Sequence, residues 1–140
     1  MNVTPYPLCW PVGAPRLAVR IPAGNIPSVP RALREIEDAV TALRQFTGIE
    51  IRDMVLSTNY SLAERREPRD PAVAGYFSID GRGYCICADK FQAVGSNLRA
   101  VAKVLEAVRL VANHIGRDAA MVGLGVYRRD FYQPASEAAE

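Results

Sequence analysis

Few residues in this sequence have the types and spacing that catalysis needs. His114 is the only histidine, so a hydrolase of the Ser, His and carboxylate type would have to use it as the base, and no G-x-S-x-G elbow accompanies it. Gly81-Arg82-Gly83 is glycine-rich, but it reads as a hairpin turn and lacks the helix and lysine of a phosphate-cradling loop. Glu50 and Asp53 fall on opposite faces of a regular strand, so general acid-base chemistry would need partners from elsewhere in the chain. The three cysteines, Cys9, Cys85 and Cys87, have neither zinc-finger nor CxxC spacing. Cys85 and Cys87 share one face of a strand with no second ligand pair, which fits buried apolar side chains better than a soft-metal site. An enzyme is therefore not expected, and neither a cofactor nor a metal is implied.

Binding chemistry is better represented. The chain has 15 arginines and two lysines, with a formal net charge of only +2. Guanidinium forks suit phosphates and carboxylates, and arginines beside aromatic rings suit single-stranded nucleic acid. Candidate contact residues are Trp10, Arg16 and Arg20 near the start, and Arg65, Arg66 and Arg69 in a charged loop. Arg99, Lys103 and Arg109 follow on a long helix, and Tyr127, Arg128, Arg129 and Tyr132 stand near the end. Glu64, Glu67 and Asp70 nearly neutralise the loop cluster, so that segment reads first as a solvated loop.

These residues must be positioned by a few elements. Val94, Leu98, Val101, Leu105, Val108, Ala112 and Ile115 recur at alternating spacings of four and three, predicting a long helix with a broad buried face. Gly95-Ser96 is a place for a kink or restart, Asp89 a cap for a turn before it, and Gly116 a stop. An earlier helix is predicted from a Ser28 cap, through Pro30 in its first turn, to Gly48, with Leu33, Ile36, Val40 and Leu43 on its apolar side. Residues 49–58 read as a strand, and residues 72–88 as a hairpin turning at Asp80-Gly81. Residues 117–126 offer a short helix containing Gly123 and Gly125.

Residues 1–27 form an extended Pro-rich arm, because seven prolines in the first 30 positions forbid a long helix or a central strand. The arm holds too many large apolar groups for a disordered tail and should lie against the body of the protein, as a packed strap or as a basic arm that touches a partner. Residues 28–132 then make a single α+β domain and residues 133–140 a polar tail. The expected fold is a three-stranded antiparallel sheet, one strand plus a hairpin, packed against two long helices with a short C-terminal helix. A length of 140 residues with 49% hydrophobic residues suffices for one core. No apolar run approaches the roughly 20 residues of a membrane span, so no membrane partner is expected, and the odd cysteine number fits a reducing cytosol.

Several segments together resemble a family of phage and prophage proteins, some members of which continue into a C-terminal J-domain. They are Tyr6-Pro7-Leu8, the run Trp10-Pro11-Val12-Gly13-Ala14-Pro15-Arg16, Ser57-Thr58-Asn59, Asp70-Pro71-Ala72-Val73-Ala74 with Tyr76-Phe77, and the stretch from Cys87-Ala88-Asp89-Lys90-Phe91 to Asn97-Leu98-Arg99-Ala100. The sequence contains no His-Pro-Asp motif, and Ala112-Asn113-His114-Ile115 stands where that family has a tryptophan-rich continuation, so recruitment of a chaperone is not carried over. The resemblance implies a phage-derived module in the cytoplasm of a bacterial host, acting by binding. Two functions are expected: an adaptor or inhibitor of a host or phage protein such as a defence factor, with a homodimer possible, or an accessory DNA- or RNA-binding protein in phage replication or recombination.

Overall fold

The computed structural model describes residues 3–124. Helix α1 (Val29–Thr47) starts where the Ser28 side chain accepts a hydrogen bond from the Arg31 amide, carries proline in its first turn, and stops at Gly48, whose φ of 76° ends the helical spiral. Strands β1 (Arg52–Thr58), β2 (Val73–Ile79) and β3 (Arg82–Ala88) form an antiparallel sheet in that order. Asp80 and Gly81 both have positive φ (51° and 79°), the backbone a tight two-residue hairpin requires. Helix α2 (Val94–His114) runs without a break past Gly95-Ser96, and α3 (Arg117–Leu124) follows the positive-φ Gly116. The architecture is α+β, as expected. Among the described residues no helix is long and apolar enough to cross a membrane.

Two local expectations are corrected. The first strand begins at Arg52 rather than residue 49, and its register with β2 slips between Arg52 and Val55 at a bulge where Asp53 takes a φ of 54°. Asp89 caps no helix. The first amide of α2, that of Val94, instead donates to Glu67 Oε1 at 2.6 Å, a carboxylate from the charged loop.

The pleat sorts the sheet into two covered faces. Val73, Phe77, Ile79, Tyr84 and Ile86 point into the main core with Ile36 and Leu43 of α1 and Leu98, Val101 and Leu105 of α2. The Glu35–Arg99 pair near the start of both helices and the Phe46–Arg109 contact further along show that α1 and α2 run side by side in the same direction. On the opposite face Ala74, Tyr76 and Cys85 are covered by Val3, Leu8, Cys9 and Trp10 of the arm. Every residue of β2 is consequently buried. The arm is the second cover of the sheet.

Candidate functional site

A proline-rich segment has few amides with which to pair, so the arm is held by point contacts. The Pro5 carbonyl accepts from the Thr58 amide, the Leu8 amide donates to Asn59 Oδ1, and the Cys9 amide donates to the Ser57 hydroxyl at 2.7 Å. Tyr76, from the covered face, donates its hydroxyl to the Cys9 carbonyl at 2.7 Å, and burial pushes its ionisation well above the usual tyrosine range. Further along, Ile21 pairs with the 90–92 segment: its amide donates to the Lys90 carbonyl and its carbonyl accepts from Gln92.

Between these points lies a lattice of two arginines and two aspartates. Arg16 donates to Asp89 Oδ2 at 2.8 Å and to Asp70, and Arg20 donates to Asp89 Oδ1 at 2.7 Å and to Asp70 at 3.0 Å. The Leu17 amide adds a third donor to Asp89. The Arg16 guanidinium also lies 4.7 Å from the centre of the Trp10 ring, whose indole N–H donates to the Ala14 carbonyl. Asp89 is 5% exposed. Burial alone would raise its pKa, but the two guanidinium groups and the Leu17 amide outweigh that and hold the carboxyl below its ordinary range.

A carboxyl depressed on folding contributes stability that is fully present above its unfolded pKa of about 3.9 and disappears as pH falls through the folded value. The expected result is an unfolding free energy whose carboxyl-linked part is steady from neutrality down to about pH 4–5 and declines below that. Glu35, similarly depressed by Arg99, adds to the same acid limb. Urea titrations across that range measure the slope, and Asp89→Asn should flatten it.

The sequence-derived candidates separate into four places. Trp10, Arg16 and Arg20 meet in the lattice. Arg99 makes a bidentate pair with Glu35 at 2.9 and 2.8 Å, and Lys103, one turn on, lies 3.2 Å from Glu106. Arg65, Arg66 and Arg69 are exposed on the 59–71 loop, where Arg66 pairs with Glu64 and Arg65 donates to the Leu62 carbonyl. Arg109 sits over the ring of Phe46. Tyr127, Arg128, Arg129 and Tyr132 lie outside the described residues.

The loop is less free than its charge suggests, since Asn59, Glu67 and Asp70 tie it to the arm and to α2. Asn97, fully buried, accepts from the Phe91 amide and donates to the Phe91 and Pro71 carbonyls. Asp70, Asp89, Asn59 and Asn97 are organising polar groups whose residue types and spacing alone do not mark them as such. All four occur within the segments that carry the resemblance, which was the one available signal.

His114 Nδ1 is 2.9 Å from the Leu110 carbonyl on its own helix, and among the described residues no group of three His, Cys, Asp or Glu is placed to hold a metal. Cys85 and Cys87 have their sulfurs 3.6 Å apart on the arm-covered face. Burial pushes the Cys9 thiol up, but hydrogen bonds from Thr4 and Ser57 outweigh it, leaving the thiol lowered. No protein-family model matches this chain, and neither does any curated protein or solved structure with which it was compared.

Proposed function

We propose that the chain is a non-catalytic protein-interaction module of phage origin, an adaptor or inhibitor that engages a host or phage protein in the bacterial cytoplasm through the outer side of its arm. The phage origin rests on the sequence resemblance. One observation supports the mode of action: a segment pinned at residues 5–9, 16–17 and 20–21 carries Val12, Leu17, Val19 and Ile26 outward at 77%, 48%, 78% and 60% exposure. Isolated exposed apolar residues are ordinary. Four on one immobilised strap resemble a recognition strip whose ordering entropy is settled before a partner arrives.

Leu17→Asp/Val19→Asp/Ile26→Asp tests this reading. None of these side chains is needed for the core, so the variant should melt within a few degrees of the parent while losing at least about tenfold in affinity for the protein captured by the parent. Arg65→Ala/Arg66→Ala should bind as the parent does. Sedimentation of parent and variant identifies the case in which the partner is a second copy of the chain.

The nucleic-acid alternative is the weaker proposal. Arg16 and Arg20 are each shared between two carboxylates, so a phosphate would have to compete for guanidinium groups already paired. Salt-sensitive binding of DNA or RNA that is lost on changing the arginines would restore it.

A further inference from the structure

A hollow of about 370 Å³ lies between the arm and one side of α2. Its polar lining is Asn25, Lys90, Ser96, Arg99 and Lys103, with Phe91 as an apolar wall and no carboxylate among the lining residues. The helical contributors repeat at 96, 99 and 103, so they share one face. Arg99 is fixed by Glu35, which uses two of its five N–H donors and leaves three for another acceptor. Lys90 lies 5.6 Å from the Phe91 ring centre and has no carboxylate partner among the described residues, while the Lys103–Glu106 pair is exposed to solvent and easily exchanged.

Ser96 adds an independent observation. It is 4% exposed, lines this hollow, and its Oγ has no hydrogen-bond partner among the described residues. Buried hydroxyls are ordinarily satisfied. A second hollow of about 430 Å³ shares Lys90, Phe91 and Ala100 as walls and is lined on its other sides by Trp10, Pro15 and Leu17. The first compartment thus presents cationic groups, while the next has aromatic and aliphatic walls around Asp89, whose carboxylate Arg16 and Arg20 already occupy.

We infer that the paired hollows bind a phosphate monoester with an apolar body. The phosphate lies among Lys90, Ser96, Arg99 and Lys103, and the body lies against Phe91 and Trp10. Tetrahedral oxyanions match this donor set because they accept from several directions at once, and charge-assisted hydrogen bonds from lysine and arginine supply most of the attraction. The source is either a free small molecule or the 5′-phosphate at a nucleic-acid end. The inference shares Leu17 with the protein-partner reading but does not rest on it.

Phenyl phosphate and inorganic phosphate are the probes, followed by amide NMR shifts and by the fluorescence of Trp10, the only tryptophan. Phenyl phosphate should saturate below about 20 mM, bind at least about fivefold more tightly than inorganic phosphate and alter Trp10 emission, with shifts centred on residues 90–103. Lys90→Gln/Lys103→Gln should weaken it at least about tenfold and Ser96→Ala about threefold, while Arg65→Gln/Arg66→Gln, equal in charge change and outside the lining of both hollows, should not. A short single strand with a 5′-phosphate that competes with phenyl phosphate assigns the source to a nucleic-acid end, and failure to compete assigns it to a small molecule. Absence of saturable shifts with both anions, equal weakening by the two double variants, or equal binding of a strand without the 5′-phosphate would each overturn the inference.

Discussion

Asp89→Ala is expected to lower the unfolding free energy by about 3 kcal/mol, at the lower end of what breaking a buried ion pair costs. The carboxylate accepts from Arg16, Arg20 and the Leu17 amide at 2.8, 2.7 and 3.1 Å, and both of its oxygens are used. Removing it leaves the Leu17 amide without its acceptor and two guanidinium groups facing each other across Asp70 alone. Arg16 and Arg20 are partly solvated and keep Asp70, which holds the loss below the upper end of the range. Asp89→Asn keeps an acceptor for Leu17 but not the charge, and should fall between variant and parent. Urea denaturation gives the global value. Hydrogen exchange gives the local one: the amides of Leu17 and Ile21 should lose protection before those of α2. Unchanged exchange in the arm would show that the lattice does not hold it.

The local elements were legible because each is specified within a few residues. Ser28 with Pro30 and Gly48 marks both ends of α1 inside its own sequence, and Asp80-Gly81 between two β-prone runs can hardly turn any other way. The heptad-like spacing from Val94 also overrode the helix-weakening Gly95-Ser96, since tertiary burial of that face outweighs a modest propensity cost. The arm's tendency to pack was visible in its composition, but the surface it packs on was not.

What stayed hidden is long-range pairing. Arg16 and Asp89 are separated by 73 positions, and any of the chain's acidic residues could have served as its partner on sequence grounds. For the same reason the loop acids looked like solvated charge, whereas Glu67 caps α2 and Asp70 bridges the arm. Asp89 has the type of an N-cap, but the turn expected after it does not form: residues 90–92 pair with Ile21 and α2 starts only at Val94, so Asp89 has no helix to cap and takes the two guanidinium groups. The bulge at Asp53 has no local signature either, because it follows from β1 having one residue more than β2 between their paired positions. The same pairing bears on the site. Arg16 and Arg20, read as available for phosphate, are committed to carboxylates, and the cationic hollow adds Lys90, which had not been singled out, to Arg99 and Lys103, which had.

Gly95→Ala is expected to cost about 2–3 kcal/mol and to lower the melting temperature by about 8 °C, from overpacking at a point where nothing can yield cheaply. A Cβ on residue 95 would lie 2.1 Å from the Pro27 carbonyl oxygen and 3.2 Å from its carbon. Those are backbone atoms. Pro27 is buried and immediately precedes the Ser28 cap, so moving it away from α2 pulls on the start of α1 as well as on the end of the arm. Alanine's better helix propensity opposes the clash by at most about 1 kcal/mol, and less in a first turn. Gly123→Ala on α3 is the control: it meets nothing within 4 Å and keeps the propensity gain alone, so it should be neutral or slightly stabilising. Thermal melts of the two variants side by side separate loss of glycine from loss of close approach. A G95A protein as stable as G123A would show that the junction of arm and α1 does not bear on α2 through Pro27. A large drop confined to G95A would place that contact, together with the Asp89 lattice, among the supports that keep the arm's outer strip in position.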